Sequence, residues 1–192
     1  MTEAEFLALV RQNPVNAALL GRLPQLEAFA PQVMLVAGSL FGTVWNAQAG
    51  NAPTDHIRDY DLFYWDADLS YEAEDTVIQQ AAELFADLNA PIELRNQARV
   101  HLWFNPNHGL NRPPLRSARE GIDQFLVECT CLGIDARGEV YAPYGLSDMA
   151  AGVLKLNALN HSPSLYAAKV ASYRARWPWL RDTAPVSPAK SE

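Results

Sequence analysis

The sequence predicts an α/β (α+β) fold, in which a mixed β-sheet is flanked by helices and further helices are added at both ends of the chain. Short apolar runs, such as residues 33–37, are long enough for buried strands but too short for helices. Segments with apolar residues at helical spacing lie between these runs. Because the two patterns alternate in the middle of the chain, the strands belong to one sheet covered by helices.

Length and composition indicate one globular domain. The chain has 192 residues, of which 49% are hydrophobic and 19% charged, so it can fill a core of its own. We expect residues 1–181 to form this domain, with its central part at 33–157 and its last helices within 145–177. Residues 182–192 contain Pro, Ser and Lys and are predicted to be a disordered tail.

The charge balance narrows the range of partners. A formal net charge of −7 and a pI near 5.1 give no electrostatic attraction to nucleic acid or to an anionic membrane, so long nucleic acid is an unfavoured partner. The first residues carry acids before any base, and no stretch approaches the roughly 18 apolar residues that cross a bilayer. We therefore expect a cytoplasmic protein without a signal peptide or membrane contact.

Caps, breakers and periodicity define the elements of the first hundred residues. Thr2 with an acidic first turn begins the first helix, and Gly50 ends the third. Helical spacing predicts helices at residues 2–12, 14–29, 39–49, from Ser70 onward, and 97–104. Apolar or alternating runs predict strands at residues 33–37, 57–65 and 91–95.

Turn residues organise the second half of the chain. They predict a loop at residues 105–119 and a β-hairpin with strands at 125–134 and 139–141. Two helices are predicted to follow, at 145–157 and 163–177. Pro163 at the first helical position and Pro178 beyond the end delimit the last helix.

The two cysteines are predicted to be packed, reduced thiols. Cys129 and Cys131 are alternate residues of a predicted strand, where a disulfide between them would be strained. A structural zinc site needs four ligands, and no second Cys or His pair accompanies them.

Two carboxylates lie on one face of the second predicted strand. Asp59 and Asp61, with Phe63 beyond them, are alternate residues, and alternate side chains are about 6–7 Å apart. Two anions at this spacing repel each other unless a cation lies between them. Oxygen ligands suit Mg²⁺ or Mn²⁺, and Mg²⁺ commonly binds one or two carboxylates plus substrate phosphates. The alternative is an exposed edge strand with solvated acids.

A small-residue turn precedes these acids. Gly38 and Ser39 follow a buried strand and open a helix, and a helix N-terminus of this kind can bind an anion. The turn has neither the spacing nor the Lys of a P-loop, and it lacks the glycine pattern of a dinucleotide site. Together with the acids, it suggests a nucleoside triphosphate with its metal.

Further candidate residues lie downstream. Glu93, on the next predicted strand, could complete the cation site and accept a proton, or it could pair with Arg95 on the same face. Arg95 and Asn96 are candidate nucleotide contacts, although Asn96 could instead cap the following helix. Lys155 and Lys169 could reach a triphosphate or remain on solvated helix faces.

These motifs resemble the nucleotidyltransferase superfamily of DNA polymerase β. The resemblance rests on Gly38-Ser39 after an apolar strand, Asp59-Tyr60-Asp61 in the next strand and Glu93 on the third. The run IELRNQARVHLW at 92–103 and the sequence APYGL at 142–146 are similar to a small bacterial branch of that superfamily, whose members mostly have no assigned role. The similarity covers residues 33–157.

The resemblance implies a mixed sheet flanked by helices and transfer of a nucleotidyl group from a triphosphate, with Mg²⁺ or Mn²⁺. It assigns Asp59, Asp61 and Glu93 to catalysis and metal binding, and Gly38 and Ser39 to the triphosphate. About twenty positions separate Ser39 from Asp59, more than is usual in the superfamily, so a longer helix and loop must be accommodated.

The leading hypothesis is therefore a metal-dependent nucleotidyltransferase that moves a nucleoside monophosphate onto an acceptor hydroxyl. The acceptor is a small molecule, a protein or RNA, and the motifs do not choose among them. Two alternatives stay open: a nucleotide-binding regulatory module without turnover, and a metal-dependent phosphate-ester hydrolase. Intact carboxylates at Asp59, Asp61 and Glu93 favour the enzyme.

Overall fold

The computed structural model describes residues 1–108 and 113–183, with side chains described outside 105–108. Its architecture is a mixed five-stranded sheet with helices on both faces, which confirms the predicted fold class. The helices of the described residues are α1 Glu3–Val10, α2 Pro14–Leu26, α3 Gly38–Ala49, α4 Tyr71–Leu84, α5 Val100–His108, α6 Ala118–Asp123, α7 Ser147–Ala151 and α8 Pro163–Arg176. The strands are β1 Met34–Val36, β2 Tyr60–Tyr64, β3 Ile92–Asn96, β4 Gly133–Asp135, β5 Val140–Tyr141, β6 Val153–Leu154 and β7 Arg181–Asp182.

The sheet places the early strands at its centre. The strand order is β3-β2-β1-β4-β5, and β6 and β7 form a separate two-stranded parallel sheet. Strand β1 is antiparallel to β2 and to β4, whereas β2 and β3 are parallel. The parallel pair needs a crossover, and α4 provides it.

Alternation along β2 separates the core from the opposite face of the sheet. Tyr60, Leu62 and Tyr64 are buried in the main core, which the early helices and α8 complete. Asp61 and Phe63, the intervening residues, point to the other face and are half-buried. Because successive strand side chains alternate, this single register decides which residues can form a site.

The residues predicted to begin or end three of the helices are confirmed. Thr2 and Glu5 form a capping box at the start of α1, and the Ser70 side chain accepts a hydrogen bond from the N–H of Ala73 at the start of α4. Gly50 ends α3 in a left-handed conformation with φ of 74°. Such a conformation favours glycine, which lacks the Cβ that would clash.

The predicted strand at 125–134 is wrong over most of its length. Only Gly133–Asp135 is a strand, and it forms the predicted hairpin with Val140–Tyr141. Before it, Glu128–Thr130 is a 3₁₀ turn, in which the Thr130 hydroxyl donates to the carbonyl of Val127 at 2.8 Å. A threonine side chain that hydrogen-bonds to a nearby backbone carbonyl competes with strand pairing.

The cysteines are accordingly not neighbours on a strand. Cys129 and Cys131 are free and buried, as expected of packed thiols. Burial is the main cause that raises the pKa of each thiol to about 12, so neither is a thiolate at neutral pH.

The predicted helix at 145–157 is also wrong, because α7 ends after Ala151. Gly152 has a φ of 64°, and a Cβ at this position would lie 2.2 Å from the Trp179 ring. The chain then turns into β6, which pairs with β7. A helix could not supply this pairing, so tertiary packing overrides helical propensity here.

Two further predictions change at their boundaries. The loop predicted at 105–119 is wrong at both ends, because α5 extends to His108 and Ser117 caps α6; residues 109–112 lie outside the described residues. The tail predicted from 182 is wrong at its first two residues, since Asp182 is in β7 and the Thr183 N–H donates to the carbonyl of Leu154. Residues 184–192 lie outside the described residues.

A membrane-crossing helix would have to be both long and apolar. None of the helices described in residues 1–108 and 113–183 meets both conditions.

Candidate active site

The predicted acidic residues gather at the start of β2 and on its neighbour β3. Asp61 is the register partner of Glu93 on β3 and of Val36 on β1, so both carboxylates project from the same face of the sheet. Asp59 immediately precedes the strand, which begins at Tyr60 and not at 57 as the sequence predicts. Asp59 and Asp61 line the same cleft.

The electrostatic surroundings of Asp61 are unfavourable to its charge. Burial, together with the negative charges of Asp59 and Glu93, raises the pKa of this carboxyl to about 7. Lys169 and Arg95 act in the opposite direction and are outweighed. Like charges held together in this way are the condition that a divalent cation or another positive partner relieves.

The residues fit a metal ion that is shared with a substrate. No three His, Cys, Asp or Glu side chains of the described residues are grouped as ligands for one ion. Glu93 is half-exposed and pairs with Arg95 at 3.2 Å. Mg²⁺ commonly uses only one or two carboxylates, with phosphate oxygens and water completing its shell. Asp59 and Asp61 therefore suit an ion that arrives with a triphosphate.

The turn from β1 into α3 opens onto the same cleft. Gly38 lines the cleft, and a Cβ at this position would have Asp59 Oδ1 at 4.0 Å. Ala37 holds the turn with φ of 60°, a strained conformation for a residue other than glycine. No side chain in the described part of the chain caps α3. The N–H groups of a first helical turn have no partners within the helix, so this end can bind an anion.

Two buried asparagine side chains fix this turn against the rest of the fold. The Asn16 side chain donates to the carbonyl of Ser39 at 3.0 Å and to the Thr43 hydroxyl at 3.2 Å. The Asn13 side chain reaches Tyr60 at the start of β2. The α2 helix thus fixes the N-terminus of α3 against the strand that carries the acids.

The Ser39 side chain lies outside the lining of the cleft. It is fully buried, and its hydroxyl has no hydrogen-bond partner among the described residues. A buried hydroxyl without a partner is costly, and a phosphate oxygen would satisfy it once the side chain turned toward the cleft. Its backbone N–H, in the first turn of α3, needs no such change.

A cleft of about 560 Å³ joins these features to the C-terminal helix. From α8 it takes side chains at positions 165, 169, 172 and 176, which follow one stripe of the helix. The indole N–H of Trp177 donates to the side-chain oxygen of Asn46 at 2.8 Å and fixes the end of α8 against α3. The full lining is Ala37, Gly38, Phe41, Ile57, Arg58, Asp59, Asp61, Phe63, Phe104, Gln124, Phe125, Leu126, Thr130, Asn160, Leu165, Lys169, Ser172, Tyr173 and Arg176.

Three cations share this cleft with the acids. Arg58, Lys169 and Arg176 form no salt bridge with any acid whose side chain the structure describes. Burial and then the charge of Arg176 lower the pKa of Lys169, while the charges of Asp61 and Asp59 oppose that shift. Burial and then the charge of Arg58 lower the pKa of Arg176. Mutually repelling cations without acid partners favour an anionic ligand.

The predicted nucleotide contacts on β3 lie outside this cleft. Asn96 is 2% exposed, caps the 3₁₀ turn Gln97–Arg99, and donates to the carbonyl of Asp66 at 3.0 Å. Its side chain is therefore occupied by the fold, which is the capping role that the sequence also allowed. Arg95 pairs with Glu93 and does not line the cleft.

The sequence gives unequal signals for the residues that complete the cleft. Lys169 was one of two lysines predicted either to reach a triphosphate or to stay in solvent; the structure places it in the cleft, whereas Lys155 pairs with Asp148 at 2.6 Å elsewhere. The sequence patterns did not predict Arg58, beside Asp59, or Arg176, on the helical stripe of Lys169. Only the helical spacing of Lys169 and Arg176 along the last helix could have connected those two residues.

The raised pKa of Asp61 predicts how stability depends on pH. A carboxyl with a raised pKa in the folded state binds its proton more tightly there, so its contribution to stability is present below pH 3.8 and is lost as pH rises through about 7. Replacing Asp61 by Asn should remove this component. We expect the Tm difference between the variant and wild type to grow from pH 4.5 to pH 8. A constant difference in differential scanning calorimetry would contradict the assigned burial and repulsion.

Comparison with known proteins agrees with the fold. A family model described as Nucleotidyltransferase matches residues 27–181. A solved structure, described as an NMR structure that reveals a CCA-adding enzyme head domain, superposes with a TM-score of 0.74 at 25% sequence identity. The match covers 95% of this chain and 96% of that chain. No curated protein matches the chain.

Proposed function

The chain belongs to the nucleotidyltransferase family, and from that membership and the cleft we propose that it transfers a nucleoside monophosphate from a nucleoside triphosphate to an acceptor hydroxyl. One observation carries the proposal: Asp59 and Asp61 share a cleft with the N-terminus of α3 and with cations that have no acid partner among the described side chains. Acids alone would repel a triphosphate. Acids that face cations and helix N–H groups can bind one together with its metal.

Each group has a separate task in the proposed reaction. The acceptor oxygen attacks the α-phosphorus, the bond from that phosphorus to the bridging oxygen breaks, and pyrophosphate leaves with the bond electrons. The backbone of Gly38 and Ser39, with Lys169 and Arg176, binds the β- and γ-phosphates and then the departing pyrophosphate. Asp59 and Asp61 would hold Mg²⁺ or Mn²⁺, which neutralises charge on the phosphate oxygens. The protein contributes mainly position and electrostatic stabilisation.

Glu93 is the proposed third carboxylate. It projects from the strand beside Asp61 and is half-exposed, so an acceptor can approach it. As a general base it would take the proton of the acceptor hydroxyl. Its pair with Arg95 is a surface ion pair worth about 0–1 kcal/mol, so leaving that pair costs little.

The acceptor belongs to one of three candidate classes. The structural neighbour is described as a CCA-adding enzyme head domain, which makes the terminal hydroxyl of a short RNA one candidate. The formal charge of −7 disfavours a long nucleic acid and leaves small molecules and proteins as further candidates. We propose that the reaction takes place in the cytoplasm.

A labelling assay tests the proposed function. The protein is incubated with Mg²⁺ or Mn²⁺, each α-³²P-labelled triphosphate and a panel of short RNAs, small-molecule alcohols and cell extract. We expect pyrophosphate release together with label on one acceptor class. Triphosphate binding without pyrophosphate release would identify a binding module, and phosphate release without an acceptor would identify a hydrolase.

A further inference from the structure

The cleft has an apolar half that the phosphate chemistry does not use. Phe63 on β2 and Phe125 after α6 meet there edge to face, with ring centroids 5.8 Å apart and planes at 70°. Both rings are only half-buried, and Leu126 and Leu165 continue the apolar surface. Aromatic side chains left open in a cleft beside convergent polar groups are typical of a ligand site.

The strand and the helix that border the cleft each have charged residues at one end and an apolar residue at the other. Asp59 immediately precedes β2, Asp61 lies near its start, and Phe63 follows about 6–7 Å beyond Asp61 on the same face. Along α8, Leu165 comes first and Lys169 and Arg176 follow.

Charge interactions indicate that β2 and α8 run in opposite directions along the cleft, so that their charged ends lie together. Lys169 interacts with Asp61, Asp59 and Arg58. Arg176 interacts with Arg58 and Asp59, and its guanidinium donates to the carbonyl of His56, just before β2, at 3.2 Å. The cationic end of α8 therefore lies by the start of β2. The cleft consequently runs from a charged end to an aromatic end, which is the polarity of a nucleotide from its phosphates to its base.

The polar groups near the aromatic end are already used by the protein. The Thr130 hydroxyl donates to the carbonyl of Val127 at 2.8 Å, and the Asn160 amide donates to the carbonyl of Gln124 at 2.6 Å. A base bound there can stack on the aromatic rings, while these donors stay hydrogen-bonded within the protein. Recognition by stacking tolerates different bases and favours those with larger rings.

We propose that Phe63 and Phe125 form the nucleobase subsite of this cleft and bind a purine by stacking, an inference that rests on the proposed nucleotidyl transfer. Adenine and guanine present more apolar area to the rings than cytosine or uracil, so purine triphosphates bind more tightly. The edges of the base make little contribution, so ATP and GTP bind with similar affinity.

Calorimetric titration separates this inference from the proposed function. The wild-type protein with Mg²⁺ and no acceptor is titrated with ATP, GTP, CTP, UTP and inorganic tripolyphosphate. Tripolyphosphate reports on the charged end alone. We expect ATP and GTP to bind more tightly than the pyrimidine nucleotides and than tripolyphosphate.

Variants then assign the difference to the rings. Phe125→Leu and Phe63→Leu should weaken ATP binding by about 5- to 150-fold, the range for loss of one base–aromatic stack, and leave tripolyphosphate binding unchanged. Phe125→Tyr keeps the ring and should keep ATP affinity. Tyr71→Leu is the matched control, because Tyr71 is an aromatic residue that is 67% exposed outside the cleft.

The outcomes are distinguishable. If tripolyphosphate and ATP bind but Phe125→Leu and Phe63→Leu leave ATP affinity unchanged, the aromatic end is not the base subsite, and the proposed function stands. Pyrimidine nucleotides that match or exceed purine nucleotides would overturn the assigned base class. If neither ATP nor tripolyphosphate binds, the proposed function fails and this inference fails with it.

Discussion

Asp61→Asn is expected to reduce nucleotidyl transfer by about 100- to 1,000-fold or more, the usual loss when one electrostatic stabiliser of a transition state is removed. Asp61 is the half-buried acid of the site, flanked by the charges of Asp59 and Glu93. Asn has the same shape but supplies no negative charge for a metal ion. The measurement is the rate of pyrophosphate release at saturating triphosphate and Mg²⁺.

The same variant should be more stable than wild type in the absence of metal. Removing the charge of Asp61 relieves its burial and its repulsion from Asp59, and about 1 kcal/mol of relief raises Tm by roughly 2–4 °C in a chain of this size. A stabilised but inactive variant separates loss of function from loss of fold. Mg²⁺ with triphosphate should raise the Tm of wild type more than that of the variant.

Glu83→Gln is the control for this experiment. Glu83 is an exposed acid of α4 outside the cleft, so its replacement removes one negative charge without touching the site. Its rate and stability should stay close to those of wild type. Full transfer activity in Asp61→Asn would refute the assignment of Asp61, whereas equal losses in both variants would point to net charge as the cause.

Lys169→Gln is expected to weaken triphosphate binding by about 10- to 150-fold, the range for a hydrogen bond to a charged group. Lys169 lies opposite Asp61 in the cleft and forms no ion pair with an acid of the described residues. A bound phosphate would provide its partner. Inorganic tripolyphosphate should lose affinity by a similar factor, because the loss is at the charged end, and the difference should shrink at high salt.

Lys155→Gln provides the matched comparison. Lys155 has the same side chain but pairs with Asp148 at 2.6 Å and does not line the cleft. Calorimetric titration should give wild-type affinity for this variant. If Lys155→Gln and Lys169→Gln weaken binding equally, the phosphate site is not the cleft beneath α8.

Strong local signals in the sequence predicted the centre of the fold. The apolar run at 33–37, the turn at Gly38 and the aromatic strand at 57–65 correspond to β1, the start of α3 and β2. Each depends on interactions between residues that are close in sequence, such as capping, alternation and left-handed glycine, so no long-range information was needed.

The errors fall where distant contacts decide the structure. The chain after Gly152 forms β6 because β7, almost thirty residues later, pairs with it. The segment around Thr130 has a strand-like composition but takes a 3₁₀ turn. Neither outcome follows from local propensity, which tertiary context overrides when the competing energies are about 1 kcal/mol.

The sequence predicted one part of the candidate site, and the tertiary structure supplied the rest. Alternation along one strand was enough to place Asp61 and Phe63 on a common face, because the period of a strand is a property of its own backbone. Only the tertiary structure brought Lys169, Arg176 and Phe125 to that face, since their positions depend on how α8 and the segment after α6 pack against the sheet. Such packing arises from many weak contacts between residues far apart in sequence.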